Sequence, residues 1–208
     1  MAFRFEKSSC IVVGTFNMYI LHPQWLAKHQ IIERGIEVGV ETNFSQPGFR
    51  FVFPRLDILW LIAPNRVVVE STNPTVDCGA FIAKMLKALP ETPLQGLGNN
   101  VNYQTELNEI EKLSTAIREF PQVATPSAED SIAQRTFHVG VKRGDKELTN
   151  LQLSFTEKNI ELVCNVHVPL ENRGDANDVA IAAASRFLDD RARAKSLAQH
   201  FFGTEVPQ

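Results

Sequence analysis

Cysteine is scarce: Cys10, Cys78 and Cys164 stand alone in a chain of 208 residues. An odd number of isolated thiols argues against a disulfide scaffold and suits a reducing compartment. The protein is therefore expected in the cytoplasm, with each thiol a small buried apolar residue. No apolar run reaches the roughly 18 residues of a membrane-crossing helix. The opening Met1-Ala2-Phe3-Arg4-Phe5-Glu6-Lys7 lacks the apolar core and cleavage site of a signal peptide, so no membrane partner is expected. Positive charge is not in excess: 21 Lys and Arg against 24 Asp and Glu leave a net charge of −3. That balance argues against indiscriminate nucleic-acid binding and still permits a local basic face.

The motifs of catalysis are missing as well. The chain has no phosphate-binding loop, no G-x-G-x-x-G, no nucleophile elbow, and no Cys or His spacing suited to zinc. His22 and His29 lie seven apart on one expected helix without a third ligand, which points to solvated or capping roles. No enzyme, metal or cofactor is expected. An apolar fraction of 44% with 22% charged residues is that of an ordinary globular chain, long enough to bury a real core.

What is present is alternation. Residues 8–21 are rich in β-branched and aromatic side chains and predict a strand, with Gly14 at a bulge or close backbone approach. A short helix follows from Pro23. Ile36, Val38 and Val40 alternate with Glu37, Gly39 and Glu41, which predicts a half-buried strand over 35–42. Residues 49–53 alternate too. Ile58–Ile62 and Val67–Val69 flank Pro64-Asn65, a favourable centre for a tight turn. Asn73-Pro74 is the expected cap of a helix carrying Phe81, Ile82, Met85, Leu86 and Leu89 to Pro90.

The second half repeats this order. Residues 93–104 predict a strand, and Thr105 caps a helix running to Pro121. Residues 121–133 read as a linker. Strands follow around Phe137–Val141, Leu151–Phe155 and Ile160–Val168. Asn177 is the expected cap of one long last helix, whose inward stripe is Val179, Ala183, Phe187, Ala194, Leu197 and Phe201, with Gly203 as its stop. Asp189, Asp190, Arg186, Arg191 and Arg193 read as its solvated side. The heptapeptide Leu97–Tyr103 is also similar to Val13–Tyr19, eighty-four positions earlier. Two strand–helix–strands–helix modules, residues 8–90 and 93–202, imply an internal duplication. The expected class is α+β: one pseudo-twofold domain with a curved antiparallel sheet and helices on one face.

This element order resembles the TATA-box-binding protein fold, a saddle of two such repeats, over roughly residues 8–202. The resemblance implies a monomeric, cofactor-free binding module whose concave sheet widens the minor groove of duplex DNA. Its groove-facing positions would fall on Val13, Leu59, Leu61, Val67 and Val69 in the first half, and on Gln95, Leu97, Leu153 and Phe155 in the second. Leu61 stands where the family places an intercalating Phe, and Ile11 where it places a groove-reading Asn. The register of the last hairpin decides the second-half set. If Glu157-Lys158 is a two-residue turn, Leu153 and Phe155 face the core, and Gln152, Ser154, Glu161, Val163, Asn165 and His167 line the other face. A bulge reverses the two sets.

Cations gather at the strand ends: Arg50, Arg55 and Arg66 beside the first hairpin, and Lys142, Arg143, Lys146 and Lys158 beside the second-half strands. They read either as guards on sheet edges or as grips on two phosphate backbones. Two functions stay open. One is a DNA-binding saddle using Arg55, Leu59, Leu61, Arg66, Val67, Val69, Gln95, Leu97, Lys142, Arg143, Phe155 and Lys158. The other is a protein-interaction or scaffold module, on the sheet or helix face, that keeps the saddle without DNA binding. The near-complete double repeat and the paired cationic hairpins favour the first; the acidic balance, Glu161 and the missing wedge at Leu61 favour the second.

Overall fold

The computed structural model describes residues 3–42, 48–106, 134–144, 147–156, 159–171 and 173–203. The expected helix after Thr105 and the linker at 121–133 lie outside these residues. Nine strands form one antiparallel sheet: β1 (Arg4–Gly14), β2 (Gly39–Thr42), β3 (Phe49–Phe53), β4 (Ile58–Ala63), β5 (Arg66–Ser71), β6 (Leu94–Glu106), β7 (Gln134–Arg143), β8 (Glu147–Thr156) and β9 (Asn159–Pro169). Their spatial order is β2-β3-β4-β5-β1-β6-β9-β8-β7. From the central β1–β6 pair outward, one wing therefore runs β5, β4, β3, β2 and the other β9, β8, β7. The described helices are α1 (Pro23–Lys28), α2 (Cys78–Ala88), α3 (Ala176–Ser185) and α4 (Phe187–Phe202).

All four helices pack on one side. Alternation sends Cys10, Val12, Phe51, Phe53, Trp60, Ile62, Val67 and Val69 into a core with Leu26 of α1, Ile82, Met85 and Leu86 of α2, and Ala180, Ala183 and Ala184 of α3. A second cluster joins Val101, Tyr103, Leu151, Leu153, Ile160, Leu162 and Cys164 to Ala194, Ala198 and Phe202 of α4. Burying such side chains from water at roughly 1.5–3 kcal/mol each is the main favourable term in this fold. The opposite side of the sheet carries no described helix.

Several expected details differ. The first strand runs from Arg4 and stops at Gly14, where the ladder to β6 slips between Val13 and Gly14. Asp77, not Asn73, caps α2: its carboxylate accepts from the Ala80 amide at 3.0 Å. Asn73 instead closes its own turn, its side-chain oxygen accepting from the Thr75 amide at 2.9 Å. The last helix is broken at Arg186 and enters at Asp175 rather than Asn177. Past that break the buried stripe of α4 is Phe187, Asp190, Ala194, Ala198 and Phe202, which leaves Phe201 38% exposed. Only Gly39–Thr42 of the expected strand over 35–42 is paired.

Charge also enters the core where a solvated helix face was expected. Asp190 is 3% exposed and accepts from the Asn99 side-chain amide at 2.8 Å; the same Asn99 nitrogen donates to the Ala183 carbonyl at 3.1 Å. Burial pushes the Asp190 carboxyl above its usual range, while the Asn99 amide and Arg186 pull it back. Glu147, 8% exposed, accepts from Arg186 at 3.1 Å and also from Arg193. These pairs tie the junction of α3 and α4 to β6 and β8.

Candidate functional site

The side of the sheet that no described helix covers is the candidate site, and the ladders set its composition row by row. One row runs Glu41, Arg50, Leu61, Val68, Ile11, Gly98, His167, Leu148, Lys142. The next runs Gly39, Val52, Leu59, Glu70, Ser9, Asn100, Asn165, Asn150, Gly140. Val13 lies between Arg66 and Gly96, and Asn102 between Lys7 and Val163.

Two chemistries meet on this surface. On the β4–β5–β1 wing, Leu59, Leu61, Val68, Ile11 and Val13 form an aliphatic patch, with Val13 36% exposed. From β6 outward the surface turns to amides and hydroxyls. Asn165 donates to Asn100 at 2.5 Å, Asn100 leans to Ser9 at 3.4 Å, and Gln152 donates to Ser154 at 3.1 Å. Gly96 and Gly98 leave room for their neighbours: a Cβ on Gly96 would sit 3.1 Å from the His167 ring and one on Gly98 3.0 Å from the Asn165 amide, the side chains that lean over them. Carboxylates are interspersed. Lys7 pairs with Glu70 and Arg50 with Glu41, each at 3.1 Å, and Glu161 lies beside Gln104 and Ser154. No Phe, Tyr or Trp of a described strand points to this side, and His138 and His167 are the rings it offers for base stacking.

The expected site residues fall into groups. Leu59, Leu61, Arg66 and Lys142 lie on the open side, Arg66 and Lys142 exposed. Val67 and Val69 are fully buried against the helices, and Leu97 is 1% exposed there. Phe155 pairs with Ile160 and packs on the second core cluster, and Leu153 pairs with Leu162. This is the core-facing one of the two expected registers, so Val67, Val69, Leu97 and Phe155 are not available to a ligand on the open side. Arg143 stands opposite Glu147, on the helix side. Gln95 sits in the slip of β6, where its carbonyl accepts from the Leu170 amide at 3.0 Å. Arg55 is exposed in the short turn Pro54–Leu56. Lys146 and Lys158 lie outside the described residues. His138 and His167 do face the open side, and His22 caps α1, its Nδ1 accepting from the Trp25 amide at 3.3 Å.

The amides Asn100, Asn102 and Gln104 escaped the sequence reading. Their signal was strict alternation with Val101, Tyr103 and Thr105, visible once the strand is extended to Glu106. The three thiols are buried, and burial pushes Cys78 and Cys164 up to about 12, which leaves them protonated and unreactive at neutral pH. Among the described residues no helix is long and apolar enough to cross a membrane. No family model matches the chain, and no curated protein sequence matches it.

Proposed function

We propose that the protein is a binding module whose open sheet face receives another protein. The observation that carries this reading is the aliphatic patch of Ile11, Val13, Leu59, Leu61 and Val68, half-exposed on a face that no described helix covers. Aliphatic side chains on a twisted sheet are the surface on which a second layer packs. The amide strip beside the patch supplies hydrogen-bond partners that fix register without large charge. The buried thiols fit a cytoplasmic setting.

We further propose that residues 8–90 and 93–202 are two copies of one module, in a saddle similar to that of the TATA-binding factor. Its support is the matching wing order about β1–β6, with each half ending in helices on the same side. Duplex DNA in the minor groove is the second reading, favoured by exposed Arg66 and Lys142 and by the central amides, which suit A·T-rich grooves. It is the weaker one. Phe155 and Leu97 turn inward, so Leu59 and Leu61 are the wedges left, and Glu41, Glu70 and Glu161 oppose phosphates.

The test compares wild type with Leu59→Asp/Leu61→Asp. A protein retained by wild type and lost by the variant is purified. It should bind wild type saturably and slow amide exchange across residues 9–13 and 59–70. If no such dependence on Leu59 and Leu61 is found, the protein reading fails. A salt titration with A·T-rich duplex separates the second reading. Affinity tighter than about 10⁻⁴ M at low salt, with a salt slope that shrinks by about one in Arg66→Ala, would favour DNA instead.

A further inference from the structure

We propose that the outer edge of β2, continued through Ile36–Val38, docks an extended segment of a partner protein in which basic and aliphatic residues alternate. Residues 35–42 have a strand's alternation, yet β3 pairs only with Gly39–Thr42, because Pro54 turns the chain away just past Phe53. Among the described residues Ile36–Val38 have no ladder partner on either side. Among the described residues this strand-forming sequence lacks a second neighbour, the arrangement that peptide recognition by strand addition uses.

The side chains around that edge match a ligand rather than plain solvent. Val40 is 60% exposed and Tyr19 75%, the two most exposed of the large apolar residues described. Tyr19 rests edge-on against Phe49 at 6.1 Å, and Phe49 pairs with Thr42 at the end of the same strand. Between α1 and residues 32–38 opens a groove of about 450 Å³ whose apolar wall is Ala27, Ile32, Ile36 and Val38. An incoming strand would set aliphatic side chains against Ile36, Val38 and Val40, one of them entering this groove. On the other side it would meet Glu37 and Glu41, where Lys or Arg is favoured across the ladder. Glu41 already holds Arg50, which leaves Glu37 as the main anchor. Lys28 and Arg34 line the groove itself, away from the ladder's acidic side. A second copy of this chain paired about Gly39 sets Glu37 directly against Glu41, where like charges repel, and in any register it offers this edge no Lys or Arg from residues 35–42.

The experiment titrates the full chain with a labelled heptapeptide alternating Lys and Val, its Glu–Val counterpart, and two forms of the Lys–Val peptide N-methylated along one edge or the other. The Lys–Val peptide should bind saturably, and the Glu–Val peptide at least tenfold more weakly. One N-methylated form should lose binding at least tenfold while the other keeps it, because strand addition uses one edge only. Glu37→Lys should weaken binding at least tenfold. Val38→Pro should abolish it; the Val38 side chain also packs on the first core cluster, so circular dichroism first shows that the variant is folded. Leu59→Asp/Leu61→Asp should leave it intact, which separates this site from the open face. Absence of saturation overturns the proposal, as does equal binding of both N-methylated forms or indifference to Glu37→Lys.

Discussion

Gly79→Ala should destabilise the protein although alanine is the better helix former. Gly79 lies in the first turn of α2, where that helix crosses the end of α3. A Cβ built there would sit 2.0 Å from the Ala184 carbonyl oxygen and 2.5 Å from the Phe187 Cβ. Ordinary contact begins near 3.5 Å, so α2 must retreat by roughly 1.5 Å at the crossing. The obstructing atom is backbone and cannot rotate aside. Retreat loosens Cys78, Ile82 and Met85 against Ala180, Ala183 and Phe187, all in one core cluster. Overpacking costs about 1–3 kcal/mol, a backbone obstruction puts this case at roughly 2–3 kcal/mol, and the gain in helix propensity offsets about 1 kcal/mol of it. The expected net loss is about 1–2 kcal/mol, a fall in Tm of about 2–8 °C for a domain of this size. Urea unfolding followed by circular dichroism, with the fluorescence of Trp25 and Trp60 as a second probe, measures it. Gly174→Ala is the control: nothing lies within 4 Å of its built Cβ, and its stability should stay within about 0.5 kcal/mol of wild type. A Gly79→Ala variant as stable as wild type, or more so, would refute the crossing geometry.

Other expectations concern the junction of α3 and α4. Phe187→Ala should cost about 3–5 kcal/mol in urea unfolding, because a fully buried ring leaves a cavity under two helices; a loss below about 1 kcal/mol would remove Phe187 from the core. Burial raises the Asp190 carboxyl, so the folded state holds its proton more tightly than the unfolded chain does. The stability this gives is present below the unfolded carboxyl value and lost as pH rises through the folded one. Asp190→Asn should therefore gain on wild type as pH rises above about 4 in paired urea melts, and a constant difference would contradict the assignment. Glu147→Ala strands Arg186 and Arg193, both partly exposed, and should cost about 1–3 kcal/mol by the same assay.

Period-two alternation made most of the sheet legible, because a strand with one buried face must alternate. It located the β4–β5 hairpin about Pro64-Asn65, and it assigned Leu153, Phe155, Ile160 and Leu162 to one face once the turn was taken as two residues. Helix ends were less legible because several residues compete as caps. Asn73, Asp77, Asp175 and Asn177 all qualify by type, and tertiary packing chose among them. The break at Arg186 has no sequence signal of its own: no Pro or Gly marks it, and Arg186 leaves helical geometry at φ −95°, ψ 12° between buried Ala184 and buried Phe187. Asp190 was missed for a different reason. Its spacing from Phe187 and Ala194 placed it on the inward stripe, but a carboxylate is seldom buried without a partner, and its partner Asn99 lies ninety-one residues away.

The heptapeptide likeness bears on what the open face can hold. In β1 the residues turned to the helices include Cys10 and Val12, and Gly14 follows in phase against Leu94. In β6 the helix side holds Leu97, Asn99 and Val101, so Gly98 faces the opposite way, towards Asn165. A twofold normal to the sheet keeps faces, so it cannot carry Gly14 onto Gly98, and the eighty-four-residue offset does not align equivalent positions. Strand order remains the argument for two related halves. Any offset that does keep faces lays Ile11 and Val13 over the open-side positions of β6, which are Gly96, Gly98, Asn100, Asn102 and Gln104. None of these is aliphatic. Leu59 and Leu61 likewise fall over the series Leu148, Asn150, Gln152, Ser154 of β8, which is polar beyond its first member. The two wings therefore offer unlike surfaces, greasy on one and hydrogen-bonding on the other. A duplex presents much the same backbone and groove to both wings of a saddle and rewards like surfaces on each. A folded protein partner has no such symmetry, and its apolar and polar sides can meet the two wings separately. The unlikeness of the wings is the strongest reason to look for that partner first.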